Sequence, residues 1–320
     1  MQFLEDDVNL GTLTLPGTRH SCASTTNIND ADVHIEPEDD KKLTKKLRKM
    51  HQHHHDSIPK QLKKGIRLLQ LSCGKGNFIS HGPLTIANSY LEDFIHQITE
   101  FLKENDSETV VVFLSWSSAC IHEFDATKPW SEGGHSMVHD PVPERFDKYL
   151  KSILGDSDVF YTSTKEEWPT LGDVRGKAVI LCGWEAKHQV DRCGRYHEPL
   201  SEKVSHDSTI MDTKQLVEET WNSITSKFDS FGVPQDIILG ASLQHDPNNP
   251  NGWIVPCSTA PLLQQKARCY FEKHHEQLRG LWFYGDFMEE ETNMAIARLN
   301  WYGTAEGDFC RPVMPKARTA

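Results

Sequence analysis

Residues 65–84 read GIRLLQLSCGKGNFISHGPL. Ile66–Ser72 is a short run of apolar and branched residues, the composition of a buried strand. A glycine turn follows, then a short extended return to His81-Gly82-Pro83-Leu84. Upstream, residues 15–22 read LPGTRHSC behind the alternating stretch Leu10–Leu15. That pattern predicts a strand over Leu10–Leu15, ending in Pro-Gly and presenting Thr18, Arg19, His20 and Ser21. Downstream, Thr109–Leu114, Lys177–Cys182, Asp236–Ala241 and Gly280–Tyr284 bring the number of expected strands to six.

Between these strands the apolar residues recur at helical spacing. Leu91, Phe94, Ile95, Ile98, Phe101 and Leu102 share a face and stop at Asn105-Asp106. Leu216, Val217, Thr220, Trp221, Ile224 and Phe228 repeat the pattern behind Asp212-Thr213. Leu262, Leu263, Ala267, Tyr270 and Phe271 form a third stripe, and Met294, Ile296, Ala297 and Leu299 a fourth. Strands alternating with helices imply parallel β-α units. Without a glycine-rich dinucleotide fingerprint they favour an α/β barrel over an open sheet. The expected organisation is a single domain over residues 1–320, with a basic and histidine-rich insertion at about 36–64.

Composition narrows the function classes. The 320 residues are 37% hydrophobic and 25% charged, which suits one large globular domain. A net charge of −12 argues against nucleic-acid binding, which needs a basic footprint, and against adsorption to anionic membranes by charge alone. The start, MQFLEDDVNL, has no secretion-signal pattern, and no apolar stretch reaches the roughly 20 residues of a membrane span. The eight cysteines are scattered without zinc spacing, as reduced thiols would be. A cytoplasmic protein is the expectation. In the insertion, the lysines and Arg48 read as a solvated helix, and His51 and His53–His55 as a surface cluster rather than a metal site.

The motifs, in order, resemble one family. Leu15–Ser21 corresponds to its "IPGTHDS". Gln61-Leu62, Gly65-Ile66-Arg67 and the following strand correspond to "QL..GIR.LDIR". His81-Gly82-Pro83 corresponds to "HHGP", and Asn105–Val111 to "NPSETIIM.LK". PTLGDVRGKAVIL at 169–181 is similar to "PTLGEVRGKIVLL", and GLWFYGDF with AIARLN is similar to the last strand and helix. The chain thus resembles the catalytic X domain of phosphatidylinositol-specific phospholipase C, in its compact, calcium-independent bacterial and fungal form. The resemblance implies an irregular (β/α) TIM-type barrel of parallel strands, with its site at the strands' C-terminal ends. It also implies metal-free cleavage by a histidine pair: a base after the first strand, an acid in the His-Gly-Pro turn, and a cation on the phosphate.

The chain departs from the family where the chemistry lies. Arg19 stands at the base position and His20 at the position of its neighbouring Asp. On the second strand Gln70 and Ser72 replace an Asp and an Arg that share one face, and Ser115 replaces a lysine after the third strand. His81 and Asp286, the last-strand carboxylate that orients the base, match. Two arrangements suit this set. In one, His20 moves into the base position against Asp286, His81 is the acid, and Arg19, Gln70, Ser72 and Ser115 hold the substrate. In the other, Arg19 pairs with Asp286, catalysis is lost, and the barrel binds a lipid headgroup or a protein. Expected partners are a phosphoinositide or other phosphodiester headgroup and transient contact with a membrane surface, with no nucleic acid, no metal or cofactor, and a monomeric state. Trp116, Trp130, Trp184 and Trp253 follow strand ends and suit either a pocket mouth or packing, and HDPNNPNGW (245–253) suits a rim loop. Glu123, Asp125, His135, His139 and Asp140 form a polar loop without diagnostic metal spacing.

Overall fold

Eight parallel strands carry the architecture: β1 Leu15–Thr18, β2 Leu68–Cys73, β3 Thr109–Trp116, β4 Phe160–Tyr161, β5 Lys177–Cys182, β6 Arg195–Tyr196, β7 Gln235–Leu239 and β8 Leu281–Gly285. This computed structural model describes most of residues 1–301. Outside the description lie 34–44, 75–77, 82–83, 117–118, 125–134, 140–145, 184–194, 197–211, 229–234, 241–243, 246–252, shorter gaps and 302–320. Among the described residues the ladder runs β6-β5-β3-β2-β1-β8-β7, with β4 also pairing β5. The first and last strands are therefore neighbours, Thr18 standing opposite Gly285, as barrel topology requires. The fold is an irregular (β/α) barrel type with parallel strands, in agreement with the expectation from sequence.

The period-two alternation of strands sorts the apolar residues into two layers. Leu15, Leu68, Val111, Phe113, Val179, Leu181, Trp282 and Tyr284 form an inner cluster. Leu69, Leu71, Val110, Val112, Leu114, Ile180, Ile237 and Phe283 belong to an outer one. Helices α1 Ile58–Lys63, α2 Leu91–Glu104, α3 Phe146–Leu154, α4 Thr213–Ser226, α5 Pro256–His274 and α6 Glu290–Arg298 surround the sheet. The helical stripes read from sequence supply much of the outer cluster, including Phe94, Ile98, Leu216, Ile224, Leu263 and Ile296. Trp116 packs into the same layer, edge-on to Phe146 with ring centroids 5.1 Å apart, so its role is packing.

The N-terminal strand lies later than the alternation suggested. Leu10–Thr12 is a 3-10 turn, capped by the Asn9 side chain accepting from Gly11 N, and the strand is Leu15–Thr18. Leu10 and Leu13, three residues apart, both bury against the inner cluster beside Leu171 and Val174 and plug that end of the barrel. Leu13 and Leu15, two apart with Thr12 and Thr14 between and beside them, supply the alternation that suggested an earlier start. Pro-Gly consequently lies within the strand. Gly17 is required there, because a Cβ would stand 2.5 Å from Leu68 Cβ on the adjoining strand.

Antiparallel pieces emerge beyond the C-terminal ends of the parallel strands. After β2, Phe78–His81 and Leu84–Tyr90 pair with one another, and Ala31–Val33 joins Leu84–Tyr90. Ala119–Phe124 pairs with His135–His139 after β3, and Gln244–His245 with Trp253–Ile254 after β7. Trp130, Trp184, Asp125, Asp140 and most of HDPNNPNGW lie outside the described residues, as do the side chains of Glu123, His135, His139 and Trp253. Among the described residues no helix is long and apolar enough to cross a membrane.

Gly17→Ala should lower the urea midpoint with m unchanged, by about 1–3 kcal/mol of overpacking. Wild-type stability in that variant would contradict the close approach of β1 and β2.

Candidate functional site

The pleat that fills the barrel also delivers a polar layer at its C-terminal end. Continuing by twos past the inner residues, β1 leads from Leu15 and Gly17 to Arg19, and β8 from Trp282 and Tyr284 to Asp286. In the same way β2 leads from Leu68 to Gln70 and Ser72, and β3 from Val111 and Phe113 to Ser115. Arg19 donates from Nε to Asp286 Oδ1 and from Nη2 to Oδ2, both at 2.8 Å. Both side chains are buried. Gly240, just beyond β7, leaves room for this pair: a Cβ there would lie 2.6 Å from Asp286 Oδ2 and 3.1 Å from Arg19 Cζ. Ser72 and Ser115 meet through their hydroxyls at 2.9 Å.

The loop after β1 is fixed by the neighbouring strand and helix. Gln70 Oε1 accepts from His20 N at 3.1 Å, and Ser21 N donates to Gln70 O at 2.9 Å. Ser21 Oγ contacts Thr18 Oγ1, which donates to Gln61 Oε1 on α1. His20 has φ +46° and Phe287, in the loop after β8, φ +47°. Each costs of order 1 kcal/mol for a residue with a Cβ and holds only where its surroundings over-determine it.

The largest departure from expectation concerns the histidine-rich run. His51, His53 and His54 are buried, not a surface cluster. His53 N and His54 N donate to Ala23 O, while Phe287 N donates to His53 O at 2.7 Å. The run is therefore a strap between the loops after β1 and β8. His53 Nδ1 lies 2.7 Å from Asp286 Oδ1, and His54 Nε2 lies 2.7 Å from Arg19 O. A carbonyl or carboxylate oxygen only accepts, so both ring nitrogens carry the proton. Burial, partly offset by the Asp286 charge, pushes His53 down to about 3. Burial likewise pushes His54 down to about 4, against its hydrogen bond to Arg19 O. Burial also opposes the charge on Asp286, but the Arg19 guanidinium, and after it His53, hold its carboxyl well below the usual range. The consistent state is an ionised Asp286, a charged Arg19 and neutral imidazoles.

Arg19, Asp286, His20 and Gln70 thus come together, and Ser72 and Ser115 pair on the same inner face. Asp286 contacts Arg19 and His53; His20 instead lies with its ring centroid 4.8 Å from that of His53. His81 ends the Phe78–His81 strand, opposite Leu84; its side chain is outside the described residues. Sequence reasoning missed His53, although chain order held the signal. A segment between β1 and the helix before β2 is a βα loop, and βα loops lie at the site end of such a barrel.

Residues 35–126 match the family described as phosphatidylinositol-specific phospholipase C, X domain. That span holds the strap, β2 and β3 but not β1 or β8. A 1-phosphatidylinositol phosphodiesterase of Listeria monocytogenes is 29% identical over 186 residues, covering 57% of this chain and 47% of the relative. The chain thus matches about half the length of that relative. The solved phosphatidylinositol-specific phospholipase C from Listeria monocytogenes superposes with TM-score 0.64 at 22% identity, covering 94% of this chain and 97% of that one. A Staphylococcus aureus phosphatidylinositol-specific phospholipase C gives 0.59 at 15% identity, over 92% and 95%. At these identities the structures speak for the fold.

Stability should be full above about pH 6.5 and fall as pH drops toward 4, because the unfolded chain takes up protons that the buried His53 and His54 refuse. Each ring contributes a slope of about 1.4 kcal/mol per pH unit. Thermal melts between pH 7.5 and 4.5 measure it. His54→Gln, which keeps a donor for Arg19 O without titrating, should flatten the slope by about half; an unchanged slope would rule out His54 as a source.

Proposed function

We propose that the chain is a member of the phosphatidylinositol-specific phospholipase C X-domain family, a reading supported by the match over residues 35–126 and by the barrel likeness, and that the C-terminal end of its barrel receives a phosphoinositide-type phosphodiester headgroup. We further propose that it cleaves that headgroup without a metal, by proton transfer between histidines. The observation that carries this proposal is the buried, ionised Asp286, with a histidine ring on one oxygen and a guanidinium on both. An aspartate that fixes an imidazole's tautomer is the arrangement from which a neutral histidine takes a proton.

In this scheme a histidine of this cluster, His20 or His53, removes the proton from the inositol hydroxyl next to the phosphate. That oxygen attacks phosphorus, and the bond to the diacylglycerol oxygen breaks. His81 protonates the departing oxygen, leaving a cyclic phosphodiester. Arg19 supplies the positive charge lost from β2, since a guanidinium suits phosphate oxygens. Gln70, Ser72 and Ser115 offer neutral hydrogen bonds to the headgroup. The protein meets a membrane surface only while engaging substrate and works in the cytoplasm as a monomer.

Headgroup binding without cleavage is favoured by one specific observation. Arg19, at the position where the resemblance places the base, gives two hydrogen bonds to Asp286.

The test is incubation of the purified chain with phosphatidylinositol vesicles in excess chelator, following cyclic inositol phosphate release and vesicle co-sedimentation. Cleavage is expected, with His81→Ala lowering it by about 10²–10⁴-fold. Activity lost on chelation and restored by calcium overturns the metal-free scheme. Co-sedimentation without product selects binding alone.

A further inference from the structure

We propose that Gln61 is a positioning residue of this site: its one amide ties the loop that carries Arg19 and His20 to the strap that carries His53. It thereby sets from α1 how the two segments meet around Asp286. The proposal rests on the cleavage scheme above and adds to it a residue that touches no reacting atom.

Gln61 lies within α1 and is buried. Its Nε2 donates to Ser21 O at 2.9 Å and to Asp56 O at 2.8 Å, and its Oε1 accepts from Thr18 Oγ1 at 2.8 Å. The two carbonyls only accept, so both amide protons are committed and the side chain has a single orientation. Thr18 and Ser21 flank Arg19 and His20, so the amide grips the loop on either side of the residues it presents. The second proton grips the strap where Asp56 leads it into α1. From the far side, Gln70 N donates to Ser21 Oγ, which donates to Thr18 O. Thr18, Ser21, Gln61 and Gln70 are all buried, and a buried network whose donors are met is rigid.

The helix itself makes no use of this amide. Gln61 bonds within α1 through its backbone, N–H to Ser57 O, while the side chain reaches two other segments. Those segments converge on one carboxylate: Arg19 reaches both oxygens of Asp286 from the loop, and His53 reaches Oδ1 from the strap. A slip of either segment by about 1 Å would break these contacts, and a misplacement of that size costs about 10²-fold in rate.

The experiment compares wild type, Gln61→Glu and Leu62→Ala, the last a cavity in the same helix where the side chain packs into the outer cluster. Gln61→Glu keeps the acceptor for Thr18 and removes both donors. Each is assayed on mixed phosphatidylinositol and phosphatidylcholine vesicles in chelator, and its amide hydrogen exchange is measured. Gln61→Glu is expected to lower kcat by about 10²-fold, with KM and vesicle co-sedimentation within about twofold of wild type. The amides of Ser21, His53 and Phe287 should exchange faster together, by about tenfold or more. Leu62→Ala should lower the melting temperature and leave kcat of the folded protein unchanged. If the glutamate variant does not fold, Gln61→Met fills the same space without the three bonds, and the same loss is expected. Wild-type kcat in a Gln61 variant, faster exchange confined to one segment, or an equal loss in Leu62→Ala overturns the proposal and leaves the cleavage scheme standing. A wild type that binds vesicles and yields no product overturns the scheme, and this role with it.

Discussion

Keeping a carboxylate charged where water cannot reach it costs several kcal/mol unless fixed charge and hydrogen bonds replace the lost hydration. Asp286 is fully buried, and Arg19 and His53 supply that replacement across both of its oxygens. Removing one partner of such a pair typically costs about 3–5 kcal/mol, because the other charge remains buried. The upper end of the barrel is organised around that requirement. β8 brings the carboxylate, β1 the guanidinium, and the loop before α1 the imidazole, so three segments distant in sequence are tied at one point.

The ties extend beyond the charges. The strap donates to Ala23 O and accepts from Phe287 N, and His54 holds the Arg19 carbonyl. His20 and Phe287, the two non-glycine left-handed residues among those described, lie directly against it. Strain of this kind persists where several contacts converge, and it clusters at sites whose side chains must be aimed. The same convergence accounts for the neutral histidines: a strap buried between two loops has no water to share with a second positive charge beside Arg19.

The fold was legible because a parallel barrel writes itself as alternation. β2, β3, β5 and β8 are apolar on both faces, and the helical stripes between them are regular. The first strand was displaced because the alternating Thr12-Leu13-Thr14-Leu15 reads as a pleat although Leu10–Thr12 is a 3-10 turn. At the site, Arg19, Gln70, Ser72, Ser115 and Asp286 could be placed on inward faces by counting in twos. His53 could not, since it lies in a loop and loops have no period. Charge-rich and histidine-rich composition suggested solvent, whereas tertiary contacts with Ala23, Phe287 and Asp286 bury it. Composition reports average preference; the order of elements along the chain was the better guide to this segment.

The missing side chain at Gly240 has a consequence for how this site can change over successive substitutions. The guanidinium of Arg19 and the carboxylate of Asp286 occupy the space that a Cβ at 240 would enter. Positions 19, 240 and 286 are therefore not independent variables. The tightest contact, 2.6 Å, is with Asp286 Oδ2, so a larger residue at 240 is excluded while Asp286 holds its place, and a shorter residue at 19 removes only the 3.1 Å contacts. Changes at these positions are non-additive by construction. A lineage moving between an arginine and a histidine at position 19 must cross this coupling, and the order of its steps decides which intermediates fold.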